Sequence, residues 1–278
     1  MKRIFPSYNL LGRTGSLLLA ILLVLSSCEK VIDVDLNSAD KKYVIEAIVN
    51  DKTGTSFVKI SRTKNVDEDN YPDPVSGASV KVQEDGSTTY TFAESGAPGV
   101  YEAAGLKGKS GSRYDLTVIV NGQTFTAESI MPQKVNLDTI YVTDELIFTD
   151  TRKIVNAVFD DPPGLGNSYR FVQTVNGFQE TQTLIRNDDY SDGRKIVNKL
   201  FYFSSDDENK RNIKSGDQVM IDMLCIEPAV YKYWFSLDRS AIGNGQQATP
   251  SNPVTNLKGG ALGYFSAQTI QTRSLVVP

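Results

Sequence analysis

Histidine does not occur in these 278 residues. Its absence removes the commonest general base, a common zinc ligand and the side chain whose ordinary pKa lets charge respond between about pH 5 and 8. Cysteine is reduced to Cys28 and Cys225. If Cys28 is engaged elsewhere, Cys225 has no partner for an intramolecular disulfide, and stability must come from packing. Long apolar runs are missing too. The run Leu17 to Leu25 is nine residues. At about 1.5 Å per residue it covers about half of a bilayer's hydrocarbon core, too little for a spanning helix. A net charge of −4 with no basic cluster in the sequence argues against a nucleic-acid partner. Gly-Lys-Ser/Thr at phosphate-loop spacing, a dinucleotide signature after a strand and helix-loop-helix calcium spacing are all lacking.

What is present begins with a processing signal. Lys2, Arg3 and Arg13 precede the apolar run, no acid occurs before Glu29, and the run ends in Leu25-Ser26-Ser27-Cys28. A basic start, a short apolar stretch and small residues at its end describe a secretory signal. The ending resembles the lipobox of bacterial lipoproteins. That resemblance implies cleavage after Ser27 and lipid on Cys28, with the lipid bilayer as first partner. The alternative is an ordinary secretory signal whose cysteine is incidental. Lipidated, the mature chain would keep 251 residues, and the loss of Lys2, Arg3 and Arg13 would take the charge from −4 to about −7. One myristoyl chain holds a protein only marginally, at about 10⁴ M⁻¹, and each further buried methylene adds about 0.8 kcal/mol, so two or three longer chains would make release negligible.

Apolar residues form 40% of the chain, enough to bury a core. Residues 28–42 are charged and mixed and read as a tether whose early acids, Glu29, Asp33 and Asp35, suit either a solvated spacer or a surface-export signal. From Tyr43 the pattern has period two. It is sharpest in RYDLTVIV-NG-QTFTAESI, where Asn121-Gly122 suits a two-residue hairpin. Short strands with frequent turn signals predict an antiparallel sandwich over residues 43–131, ended at Pro132. Residues 132–278 again read mostly as β, with a second Asn-Gly hairpin at Asn176-Gly177 and two short closing strands, ALGYFSA and IQTRSLVVP. One helix is expected at residues 228–241. Pro228 suits its first turn, and Val230, Trp234, Leu237 and Ala241 form its apolar stripe. Gly243-Asn244-Gly245 would stop it. The predicted fold is therefore all-β: two tandem β-sandwich domains, the second with this one inserted helix.

PVSGASVKV and GVYEAAGLKGKSGSRYDLTV resemble prealbumin/immunoglobulin-like sandwich domains of bacterial surface proteins, which bears on fold and says little of function. SNPVTNLKGGALGYFSAQ at residues 251–268 and CEKVIDVDLNSADKKYVIEAIVNDKTG at the start are similar to the lipoprotein family labelled domain of unknown function 4249. SRTKN, PVSGASV and the Asp161-Pro162 step agree with that family, and the likeness covers essentially all of the mature chain. Members are typically encoded near TonB-dependent transporters. The resemblance implies an outer-membrane lipid anchor, on the periplasmic or extracellular face, and an accessory role beside such a receptor. It supplies no catalytic residues and no cofactor.

The candidate sites are few. Cys225 alternates with Val219, Ile221 and Met223, which reads as a core face and not as a nucleophile. Acids cluster in NVDEDNYPD, in NDDYSD (Asp188, Asp189, Asp192) and in SSDDENK (Asp206, Asp207, Glu208). Solvated loops explain them better than ion sites do. Asp67, Asp69 and Asp73 are the best-placed calcium candidates, since hard cations take oxygen ligands. Tyr71, Tyr190 and Tyr264 would stack on a ligand only if exposed in a shared groove; core packing is the simpler use. The glycines of NLKGGALGYF are expected to permit close packing against the helix. The leading expectation is a non-enzymatic lipoprotein that binds a ligand for, or docks onto, a transporter. A structural or adhesive surface protein is the alternative, and a hydrolase would have to rely on paired carboxylates.

Cys28→Ser is expected to end incorporation of labelled palmitate and to block maturation. A variant that still reached the usual size and sedimented with membranes would remove the anchor from the account.

Overall fold

Alternation at period two puts every second side chain on one face of a pleated strand, and the sequence runs that carry it are strands. The computed structural model describes residues 40–65, 68–69, 71–201, 212–241 and 251–278, except for the side chain of Ala241. The expected signal, Cys28, most of the tether, Asp67, the 206–208 acids and the helix stop at 243–245 lie outside them. The first strands are β1 (Tyr43–Asn50), β2 (Phe57–Arg62), β3 (Asp73–Pro74), β4 (Ser79–Glu84), β5 (Thr88–Glu94), β6 (Val100–Glu102), β7 (Arg113–Val120) and β8 (Gln123–Ile130). β9 (Leu137–Ile147), β10 (Asp150–Asp160), β11 (Ser168–Val175), β12 (Phe178–Gln179), β13 (Leu184–Asn187), β14 (Lys195–Leu200) and β15 (Gln218–Ile226) follow. A helix, α1 (Pro228–Ala241), and β16 (Leu262–Val276) complete the order. The fold is mainly β with one helix, as the pattern predicted, and α1 spans the expected residues.

Two cores form. The first lies between β16–β1–β2–β6 and β5–β4–β7–β8, filled by Ile45, Ala47, Val80, Val82, Tyr114, Leu116, Val118 and Phe265. The β7–β8 turn uses Asn121 and Gly122, both at positive φ (49° and 77°), as a type I′ turn requires. The second core lies between the β11–β15–β16 sheet and the three strands β14–β10–β9. Phe159 there meets Tyr169 and Phe171 at ring distances of 4.7 and 5.9 Å.

The C-terminal segment differs from expectation. ALGYFSA and IQTRSLVVP are not two strands but one, the 15-residue β16. Neither Gly nor Pro interrupts it after Gly263, so the ladder has no reason to stop. Its first half pairs parallel with β1, from Val44↔Leu262 to Asn50↔Gln268. Its second half pairs antiparallel with β15, from Cys225↔Thr269 to Gln218↔Val276. Residues 262–268, placed by sequence in the second module, thus complete the first core, and residues 40–278 make one compact unit. Asp51 and Gln268 hold the crossover: Ile270 N donates to Asp51 Oδ1 (3.0 Å), and Gln268 Nε2 to Asn50 Oδ1 (3.0 Å).

α1 covers this joined sheet from outside. Val230 and Tyr233 pack on Ile48, Leu224, Ile226 and Tyr264, with Trp234 and Leu237 alongside. Tyr264 meets Tyr233 (4.7 Å) and Trp234 (5.2 Å), and the Arg170 guanidinium lies 3.7 Å from the Trp234 ring centroid. The glycines of NLKGGALGYF serve strands, not the helix. A Cβ on Gly259 would meet Thr124 O at 2.6 Å, and one on Gly263, where φ is 99°, would meet Ile45 O at 2.0 Å.

Just before α1, Glu227 Oε2 accepts from Ser129 Oγ (2.5 Å), and Ser129 Oγ accepts from Ala267 N (2.9 Å). Burial raises the Glu227 pKa above its ordinary 4.5 despite these bonds.

Gly263→Ala is expected to break the β1–β16 pairing and to cost at least about 3 kcal/mol in urea unfolding, since neither the φ nor the space suits a side chain. Glu227 gives a pH test. A carboxyl with a raised folded pKa binds its proton more tightly when folded, so its penalty is absent below 4.5 and grows as pH rises through the folded value. Glu227→Gln should therefore gain thermal stability over the parent above pH 5 and lose that advantage below pH 4.

Candidate functional site

Two turns meet beside the second core. Asp161 follows β10, and its N–H donates to Arg194 O (2.9 Å), which ties the post-β10 turn to the one after β13. Asp161 Oδ1 accepts from the Tyr169 hydroxyl in a short contact, and Oδ2 accepts from Gly193 N (3.2 Å). Burial and the Asp161 carboxylate push the Tyr169 phenol pKa far up. Asp188 Oδ2 accepts from Gly166 N and Asn167 N, each at 2.9 Å. Asp192 Oδ1 accepts from Gly164 N (2.6 Å). One oxygen from each of Asp161, Asp188 and Asp192 lies within 4.8 Å of the others. Asp161 and Asp188 are buried and Asp192 is exposed. Such an oxygen-only trio has the chemistry to hold a hard cation. The main-chain donors on each carboxylate give the trio a structural use as well: it clamps two loops together.

NDDYSD therefore supplies two acids to the trio. Of the stretch the sequence favoured, Asp69 forms an ion pair with Lys64, and Asp73 is exposed in β3. Asp67 is outside the described residues. Tyr71 and Tyr190 are exposed, Tyr190 by 94%, but Tyr264 is buried beneath α1, so the three do not share a groove. Cys225 is buried in the second core, and burial raises its thiol pKa, which suits packing and not nucleophilic attack.

A second feature was not read from the sequence. β16 runs from Leu262, beside the start of β1, to Val276, beside the start of β15, a length of about 50 Å. Asp161 and Phe159 both meet Tyr169, and Phe159 also meets Phe171, so β10 read backward follows β11 toward Val175. The β9–β10 and β11–β12 turns thus lie at the far end from β1's start. That end exposes Leu146, Phe148 (93%), Phe178 (76%) and Val276. A concavity of about 430 Å³ is lined there by Val175, Phe178 and Lys214, and another of about 530 Å³ by Met220, Leu275 and Val276.

The turn that carries Phe148 is unlike the others. Among described non-glycine residues at positive φ, Asp85, Asn121 and Asn176 each precede a glycine, as such turns prefer; Phe148, at φ 55°, precedes Thr149. Left-handed backbone costs such a residue about 1 kcal/mol, and its ring gains nothing from burial. By contrast Asn176 is well fixed: its Nδ2 donates to Asp217 Oδ1 (2.9 Å) and its Oδ1 accepts from Gln218 N (2.9 Å). The only signal for the strained tip in sequence is LIF between Glu145 and Thr149, an apolar stretch without Asn, Asp or Gly where a turn falls.

The family model described as "Domain of unknown function (DUF4249)" matches residues 29–274. No curated protein matches the chain. Among solved structures, a chain of a cytokine receptor complex (crystal form 1A) is similar at 10% identity over 84% of this chain and 95% of that one, with a TM-score of 0.26. That score is too low to bear on fold or function.

Phe148→Gly is expected to raise stability by about 1 kcal/mol, since glycine adopts the turn without strain. Urea unfolding measures it, and a loss of stability would show that the ring makes contacts the isolated chain needs.

Proposed function

The chain belongs to the DUF4249 family, and we propose that it is a non-enzymatic lipoprotein anchored to the outer membrane, where it docks onto a TonB-dependent transporter. The observation that carries this reading is the polarity of the body. The tether enters at the start of β1, while strained and exposed apolar side chains collect at the far end. Leu146, Phe148, Phe178 and Val276 are all exposed toward that end, Phe148 on strained backbone, and apolar side chains so placed suit burial by a partner.

Other features agree with it. The matched span starts one residue after Cys28, which fits a chain processed at that point. No helix among the described residues is long and apolar enough to cross a membrane, so the signal-borne lipid would be the attachment. With two or three acyl chains the near end stays at the bilayer, and the far end is free to meet a barrel's loops. Histidine is absent and the one described thiol is buried, which supports binding rather than covalent chemistry.

The test is co-purification from detergent-solubilised outer membrane. The parent chain is expected to recover a large β-barrel transporter, and Phe148→Asp with Phe178→Asp to recover at least about tenfold less, the loss expected when central apolar anchors are replaced. Repeated recovery of no barrel by the parent, or equal recovery by the double variant, would overturn the reading.

A further inference from the structure

The near end carries a cleft of a different character. It measures about 350 Å³ and is lined by Lys41, Lys42, Tyr43, Arg62, Asn121, Gln123 and the Gly259-Gly260 backbone among others. Every charged residue in the lining is a cation. Lys41 is engaged at the mouth by Glu68 (2.9 Å), but neither Lys42 nor Arg62 has an ion-pair partner among the described residues. Lys258 adjoins the cleft in sequence and likewise has no ion-pair partner among the described residues.

The donors are held in place. Lys42 N donates to Thr63 Oγ1 (2.9 Å) and Thr63 N to Lys42 O (2.9 Å), which fixes the backbone beneath the lysine. The Arg62 guanidinium lies 4.4 Å from the Tyr43 ring centroid, and its Nη2 donates to Tyr43 Oη (2.7 Å). Asn121 Nδ2 donates to the same oxygen (2.9 Å). The phenol oxygen thus accepts twice, and its own proton has no acceptor among the described residues. Gly259 and Gly260 turn through positive φ (100° and 89°), and their N–H groups donate to no described acceptor. A guanidinium set by stacking, an ammonium with no ion-pair partner among the described residues, a tyrosine and two glycines line this one cavity, a set of donor groups that matches the needs of a phosphate oxyanion.

We infer that this cleft binds a phosphate-bearing anion, either a phospholipid headgroup of the bilayer or a free phosphate compound. The location suits the first source. That argument rests on the lipid-anchor reading: Lys42 follows Cys28 by 14 residues, and a coil of that length would reach about 20 Å. Headgroup binding would then fix how the body stands on its lipid anchor. The cleft and its ligand do not depend on the transporter reading, since they lie beside the start of β1, away from Phe148 and Phe178.

The experiment uses the full chain purified in non-ionic detergent, titrated by calorimetry with inorganic phosphate and, separately, with water-soluble dihexanoyl phosphatidylglycerol. At least one is expected to bind, with Lys42→Gln weakening it at least fivefold and Lys81→Gln, on the outer face of β4, leaving it unchanged. Raising salt from about 50 to about 500 mM should weaken it further, because the cations are exposed. Tighter binding of the lipid than of phosphate assigns the headgroup; equal or tighter binding of phosphate assigns a free anion. Phe148→Asp with Phe178→Asp should retain the affinity, which separates this result from failure of the docking proposal. Binding of neither anion, or equal losses from Lys81→Gln and Lys42→Gln, would overturn the inference.

Discussion

The parallel contact of β16 with β1 at Gly263 is the constraint on which the rest of the structure depends. Strands this close leave no room for a Cβ, and the left-handed backbone at that point admits glycine with least strain. The pairing brings the C-terminal segment beside the first strand and so closes a core whose other strands all come from the first half of the chain. The same strand then continues into the second sheet. A single ladder of backbone hydrogen bonds therefore joins both cores, and α1, with Tyr233 and Trp234 against Tyr264, covers the joint.

The length of that strand also sets the molecule's two ends apart. At one end Lys42, Arg62 and Tyr43 gather around a polar cleft near the tether. Toward the other, Phe148 stands in solvent on the β9–β10 turn, and Phe178 is exposed beside a concavity that it helps to line. Between them the Asp161–Asp188–Asp192 trio fastens loops that would otherwise hang from the second core. Each feature is made of residues far apart in the chain, and the stiff sheet fixes their spacing.

Some of these sites were accessible to sequence reasoning and some were not. Cys225 was legible as core because it alternates with Val219, Ile221 and Met223 on a strand. Asp188 and Asp192 were legible as a cluster because they are neighbours. Asp161 could not be joined to them, since the contact needs the chain from β11 through β13 to fold back on itself. Tyr264 alternated like its neighbours, yet whether an aromatic on a strand faces solvent or a helix depends on where the helix lands. The cleft was hidden most fully: Lys42, Arg62, Asn121 and Gly259 are separated by up to 217 residues.

The sequence by itself determined most of the strands but not the unbroken length of the last, and it determined the Asn-Gly turns, the span of α1 and the resemblance of its first residues to a lipoprotein signal. Those are local matters, governed by the period of the pleat, by the residues that tolerate positive φ and by the order of charge and apolar run. Only the tertiary structure decided that the last strand belongs to both cores, which acids meet, and which end shows cations and which shows aromatics. Side-chain period says which residues share a face of one strand, but strand order and register decide which faces meet, and these are set by long-range pairing energies that no short stretch of sequence carries.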